Sequence, residues 1–288
     1  MELIIYGLIN SISLVLMSIG FALAYGVSRV PNFAHGALYI LTGYMTWVFL
    51  NNFGLPYLFA ILLSLFLTAV IGAALYQLIL VRVRGMPISE IIASFGVGMA
   101  ILELLRWAGL RGTTYMLPSF IEGTVEIAGV PVDLQRIIIV IAGFIVIALL
   151  WLFTHYTKVG LGLRAIAQNE RAALVLGINS DLMATVAVAL GAVLAGLGAV
   201  LILPLGNITV QTGYEVLIFA IAVSVSGGLG SWVGAAVASF LIGFAQIMTV
   251  TYVASHFHLV VALLMIIIIL ITKPSGLFGR QKELEERV

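Results

Sequence analysis

The sequence contains no cysteine, which excludes disulfides, thiolate metal sites and cysteine nucleophiles. Charge is scarce too: 9% of the 288 residues are charged, where a soluble domain carries about a quarter. The formal net charge is only +1, so no basic patch is present to neutralise phosphates, and a nucleic-acid partner is excluded. Its four histidines, His35, His155, His256 and His258, form no H-E-x-x-H motif, and no G-x-S-x-G turn occurs. There is no Gly-Lys dipeptide, hence no G-x-x-x-x-G-K-[ST] phosphate loop. An enzyme lacks its parts here, an ATPase above all, and no cofactor or metal is expected. The N-terminal run has no basic region before it: Glu2 is its only charge, and the first cation is Arg29, after the apolar stretch. It predicts a retained first span rather than a secretory signal.

What is present is oil. The chain is 62% hydrophobic with a mean hydropathy of +1.22. A helix needs about 20 apolar residues to cross roughly 30 Å of hydrocarbon. Nine stretches approach this: 4–27, 34–51, 56–80, 88–108, 137–155, 181–204, 214–229, 232–253 and 257–272. They predict an all-α polytopic membrane bundle in one permease domain over 1–288, with about eight to ten spanning or half-crossing helices. Internal glycines predict that several are broken. With the N-terminus outside, the inner loops hold Arg29, Arg82, Arg84, Lys158, Arg164, Arg171, Lys273, Arg280, Lys282 and Arg287, leaving Arg106, Arg111 and Arg136 outside. Lys and Arg are retained on the cytoplasmic side, so this orientation is expected, with a cytoplasmic tail over 273–288. Small residues recur at i+4 in Gly230, Gly234, Ala238 and Ile242 and in Ala187, Gly191, Ala195 and Ala199. That spacing lets helices approach closely, inside the bundle or along a pore or dimer contact.

One expected cytoplasmic segment, TKVGLGLRAIAQNERAALVLGIN (157–179), is too polar to span. Gly160 and Gly162 predict a flexible lead-in, and Gly177 before Ile178-Asn179 a helix stop. Between them Leu163, Ile166, Ala167 and Leu174 share one helical face, and Arg164, Gln168 and Arg171 another. Such a helix lies flat beneath the bundle, either at the interface alone or in a groove of a second protein.

Ala172-Ala173-Leu-Val-Leu-Gly177 resembles the Ala-Ala-x-x-x-Gly core of the coupling loop of bacterial ABC importer permeases, which in that family docks into a cleft on a cytosolic ATPase. Arg171 stands where the common motif has Glu, Glu170 lies one position early, and no Leu-Pro pair follows. GVSRVPNFAHGALYILTGY (26–44) resembles the signature of branched-chain amino acid permeases, in which an Asn-Phe-Ala-His-Gly run opens the second span. GGLGSWVGAAVASFLIG (227–243) is similar to that family's Gly-Gly-x-Gly-Ser segment. The resemblance runs from end to end and is nearest to the LivH-type half of the LivH/LivM pair. It implies one permease subunit of an ABC importer for branched-chain or other small amino acids in a bacterial or archaeal cytoplasmic (inner) membrane. The implied partners are a second, LivM-like permease, two cytosolic ATPase subunits and a periplasmic substrate-binding protein. The implied ATPase-coupling residues are Arg164, Glu170, Arg171, Ala172, Ala173 and Gly177.

A secondary transporter, or a passive channel for a small polar solute such as urea or an amide, is the alternative. A carrier needs ionisable groups within its spans. Glu90, Glu103 and Glu215 all fall near predicted span ends, and Glu103 with Arg106 reads as an i,i+3 ion pair. For the translocation path, Asn32 and His35 follow Pro31 at the start of a helix whose free N–H groups face a cavity or the exit. Asn32 serves equally as the N-cap of that helix. Ser94, Gln246 and Thr249 are the other inward polar candidates, each equally a helix–helix hydrogen bond.

Overall fold

The computed structural model describes residues 1–110 and 115–279; Arg111 and the tail cations Arg280, Lys282 and Arg287 lie outside the described residues. Each of the nine apolar stretches is a helix. The first two are α1 (Glu2–Ser28) and α2 (His35–Asn51). The third span begins as α3 (Tyr57–Leu75), passes through a π-helical turn at Tyr76–Leu80 and ends in the short α4 (Val81–Val83). Then follow α5 (Pro87–Ala108), with its proline in the first turn, and α6 (Leu134–Tyr156). The polar segment forms two helices, α7 (Lys158–Gln168) and α8 (Glu170–Val175). The remaining four are α9 (Ser180–Ile202), α10 (Val210–Gly227), α11 (Trp232–Tyr252) and α12 (His258–Thr272). Seven helices among the described residues are long and apolar enough to cross a membrane by length and composition, the second and ninth being shorter at 17 and 15 residues. The chain is a polytopic helical membrane bundle.

Between α5 and α6 the sequence signalled nothing regular, yet β1 (Thr124–Ile127) and β2 (Val130–Asp133) pair antiparallel. Their two-residue connection, Ala128-Gly129, has positive φ at both positions, 53° and 80°, which a tight hairpin requires. Alanine is a poor signal for that conformation. Val130 and Val132 bury against Ile5 and Ile9 of α1, while β1 stays exposed throughout.

At the centre of the bundle α1 packs along α9 and α11 and also meets α10, α6 and α7. The expected breaks at internal glycines are not there: α1, α9 and α11 run unbroken through theirs. A Cβ on Gly20 would come within 2.5 Å of the Gly191 carbonyl, and one on Gly191 within 2.7 Å of the Gly20 carbonyl. The glycines let α1 and α9 touch backbone to backbone, and breaking either helix in hydrocarbon would strand polar groups. The i+4 stripes behave likewise. Ala187, Ala195, Ala199, Ala238 and Ile242 are fully buried within this one chain.

The loops gather at two ends. At one, Arg29 donates to the Ala167 carbonyl, Arg84 pairs with Glu170, and Leu277 and Phe278 hydrogen-bond to Ser226 and Gly227. At the other, Tyr6 reaches Pro131, Tyr57 reaches Pro118, and Tyr115 pairs with Ile208. These contacts bring the loops bearing Arg29, Arg84 and residues 157–179 to one end, the same grouping that was read from the cations.

Candidate functional site

The segment 157–179 is built from three side-chain caps and a glycine. The Thr157 hydroxyl accepts the Gly160 N–H at 2.9 Å and opens α7. Asn169 closes α7, its N–H bonding to the Ala165 carbonyl, and opens α8, its side chain accepting the Ala172 N–H at 3.1 Å. A single helix over 163–177 was expected; the Asn169 side chain splits it, because an Asn oxygen competes for a helix's first N–H groups. At the far end Gly177 N–H bonds to Leu174 O and Ile178 N–H to Ala173 O, with Gly177 at φ 81°. This paired closure is the Schellman arrangement, so the predicted helix stop holds. Asn179 then caps α9 through the Leu182 N–H. Gly160 and Gly162 are not a flexible lead-in. Both are buried inside α7, where Gly162 has the Met183 sulfur 2.9 Å from a would-be Cβ.

Splitting the helix reassigns its faces. Leu163 and Ile166, each 1% exposed, and Ala173 bury beside Val27 and Ala187. Leu174, expected on that face, points away with its neighbours: Leu174, Val175 and Leu176 are 50%, 89% and 78% exposed. Ala172 and Gly177 are exposed beside them. Arg164 and Gln168 instead line a cleft of about 340 Å³ with Gly230, Trp232 and Phe278, whereas Arg171 stands exposed on α8. The three polar residues placed on one face thus divide between two surfaces.

Glu170 is held from another span. It accepts from Arg84 at 2.5 Å and from the Ser180 hydroxyl, while the other Arg84 nitrogen reaches Asp181 at 3.1 Å. Burial raises the Glu170 pKa, but the Ser180 hydroxyl and Arg84 outweigh it and leave the carboxyl below its ordinary value. Burial likewise opposes the Arg84 charge, and Tyr76, Glu170 and Asp181 together override it. Arg84, Asn169, Ser180 and Asp181 were missed by sequence reasoning. For Asn169 the signal existed, an Asn three residues before an exposed Ala; for Arg84 no local pattern exists.

The five path candidates fall into two groups. Asn32 accepts the Ala34 N–H at 3.1 Å, a turn two residues long that precedes α2, and Ala34 rather than Asn32 is the N-cap. His35 is buried and its Nε2–H donates to the Met17 carbonyl at 2.9 Å. Ser94 donates to the Pro31 carbonyl at 3.1 Å and also reaches the Glu90 carbonyl. These three surround the Pro31 turn. Gln246 lies elsewhere, accepting from Asn10 at 2.9 Å and donating to the His258 carbonyl, with Thr249 bonded to Ala245 within its own helix. Of the carrier candidates, Glu90 accepts the Gly85 N–H, and Glu103 pairs with Arg106 at 3.1 Å as its spacing predicts.

The family model described as the permease component of the branched-chain amino acid transport system matches residues 3–270. The chain is 27% identical to the high-affinity branched-chain amino acid transport permease protein BraD of Pseudomonas aeruginosa, over 97% of this chain and 96% of that one. It is 27% identical to LivH of Salmonella typhimurium, covering 92% and 91%. A probable LivH of Methanocaldococcus jannaschii is 29% identical, covering 94% and 90%. Among solved structures, PsaBC from Streptococcus pneumoniae in complex with Fab superposes with a TM-score of 0.52 at 13% identity, over 100% of this chain and 96% of that one. That likeness shows the fold.

Proposed function

Because the chain belongs to the family of branched-chain amino acid transport permeases, we propose that it is one pore-forming half of an ATP-driven importer of small aliphatic amino acids. The observation that carries the ATP-driven part is the α8 tip. Three consecutive large apolar side chains, Leu174 to Leu176, are left uncovered by the rest of the chain at the end of a helix fixed by caps at both ends. Covering a Val or Leu releases about 1.5–3 kcal/mol, so a partner groove gains on the order of 5 kcal/mol from the three. A lone interfacial helix turns its apolar face into the bilayer, whereas Leu163, Ile166 and Ala173 here turn theirs into the chain's own core and leave the tip as a separate apolar surface. The partner that fits is a cytosolic ATPase, with Glu170, Arg171, Ala172, Ala173 and Gly177 shaping the docking helix. Arg164 belongs to the adjoining cleft. A second permease, LivM-like, completes the pore, and a substrate-binding protein delivers cargo to the opposite end.

Asn32, His35 and Ser94 spend their polar atoms inside the fold, so they shape the inner part of the path by holding the Pro31 turn. Gln246 and Thr249 contribute near the outer end, Gln246 by tying α11 to α1 and α12. A zwitterionic cargo costs several kcal/mol or more per charge in hydrocarbon unless it is hydrated or paired. With few charges inside the spans, discrimination falls to the binding protein and direction to ATP.

The test is radiolabelled leucine uptake into proteoliposomes holding the assembled complex, with binding protein and ATP omitted in turn. Uptake is expected only with both present. Rapid flux with both omitted would point to a channel, and uptake driven by a proton or sodium gradient to a secondary carrier.

A further inference from the structure

Glu170 opens the docking helix, yet its guanidinium partner sits on a different span, 86 residues earlier in the chain. Arg84 directly follows α4, and one turn before it the third span passes through its π turn at Tyr76–Leu80. The guanidinium is used at both ends. One nitrogen meets Glu170 at 2.5 Å and the Ser180 hydroxyl at 3.3 Å; the other meets Asp181 at 3.1 Å and the same hydroxyl at 3.3 Å. The planar fork holds the starts of α8 and α9 through two nitrogens at once, a geometry that a single ammonium nitrogen reproduces only in part. With Arg84 23% and Glu170 34% exposed and a shared hydroxyl between them, the arrangement differs from the exposed ion pairs that contribute little.

The tie continues beyond Arg84. The N–H of Gly85 donates to Glu90 at 2.7 Å at the start of α5, and one turn on Ser94 donates to the Pro31 carbonyl before α2. A connected set of polar contacts therefore runs from the docking helix, through residues 84 and 85, to the turn that begins the second span. The π turn lies in the third span, one turn before Arg84. Such a turn carries an extra residue in the helical ladder and is a place where a helix can change its winding.

We propose that Arg84 is a positioning residue of the transport cycle: it locks the docking helix to the third span, so that displacement of α8 moves α3 and α5. This rests on reading 157–179 as the ATPase dock. An uncoupled complex retains its ATPase and hydrolyses ATP but moves little cargo.

The experiment uses the full complex in proteoliposomes and reads three quantities: ATPase retained on purification of this chain, ATP hydrolysed, and leucine taken up. In Arg84→Gln the ATPase is retained as in the wild type, while leucine taken up per ATP falls about tenfold, the scale of a typical coupling between sites. Arg84→Lys keeps the charge without the fork and falls between the two. Glu170→Gln loses coupling as well, and the double variant Arg84→Gln/Glu170→Gln is no worse than Arg84→Gln, the non-additivity expected of one shared contact. An unchanged ratio of uptake to hydrolysis in Arg84→Gln overturns the proposal. So does a loss of assembled complex that accounts for all the lost uptake, since that is a folding role only. If the wild-type chain itself retains no ATPase, the docking reading fails first and takes this one with it.

Discussion

At Asn169 the chain changes direction on a single side-chain oxygen, which accepts the Ala172 N–H and starts α8 afresh. Removing that acceptor in Asn169→Ala costs about 1 kcal/mol of helix stability, and Asn169→Asp retains it. Hydrogen exchange over 170–176 is the measurement, with faster exchange expected in the alanine variant alone. Gly177 closes the same helix at φ 81° with open space where a Cβ would go. The penalty for Gly177→Ala is therefore backbone strain of about 1 kcal/mol rather than a clash, and Gly177→Asn should be milder because Asn tolerates left-handed backbone. Uptake by the assembled complex should rank Gly above Asn above Ala; equal uptake by all three would mean that the closure does not matter. Glu170 sets the pH behaviour of the loop. Its folded pKa is depressed, so the stability it contributes is fully present above the ordinary carboxylate value of about 4.3 and is lost only as pH falls through the lower folded value. Exchange protection of α8 should be flat from about pH 5 to 8 and fall below about pH 4. Loss of protection near neutrality would mean that Glu170 does not carry it.

The α8 element offers its apolar tip as one surface, so on the proposed docking substitutions there act on the ATPase contact and not on folding. Val175→Glu and Leu176→Glu are each expected to cut ATPase co-purification by tenfold or more, on the order of the 1.5–3 kcal/mol carried by one covered side chain, at unchanged membrane levels. Full retention in both variants would argue against the tip as the contact. The spans obey a different rule. Their existence was legible because each must supply about 20 apolar residues with no unpaired backbone, and every such stretch became a helix. The hairpin at Thr124–Asp133 was not legible, since its turn is Ala-Gly and its outer strand has no buried face to impose alternation. The glycines were legible as special, but their role was misread as breaking helices. Which backbone lies opposite Gly20 depends on a residue in α9, and no local pattern states that.

For the molecule as a whole, the two sets of loops form two faces, one bearing the α8 tip and the other the hairpin. Single cysteines introduced into this cysteine-free chain at Val175 and Thr124, both exposed, test which face is cytoplasmic. An impermeant reagent added to intact cells should label Thr124→Cys and spare Val175→Cys, and the reverse pattern would overturn the orientation and the ATPase dock together. The sequence by itself determined the nine apolar helical stretches among the described residues, their approximate ends and which loops share a face. Hydrocarbon imposes length and apolarity on every span, and alternation follows from counting. It also carried the resemblance that named the transport family. Only the tertiary structure decided that the polar loop is two helices, that Leu174 faces outward, that Arg164 and Arg171 serve different surfaces, and that Arg84 at the end of the third span grips Glu170. Those outcomes depend on which distant atoms come within about 3 Å of one another. Periodicity reports only the face a residue turns toward, and the partner waiting there is set by the packing of the other spans.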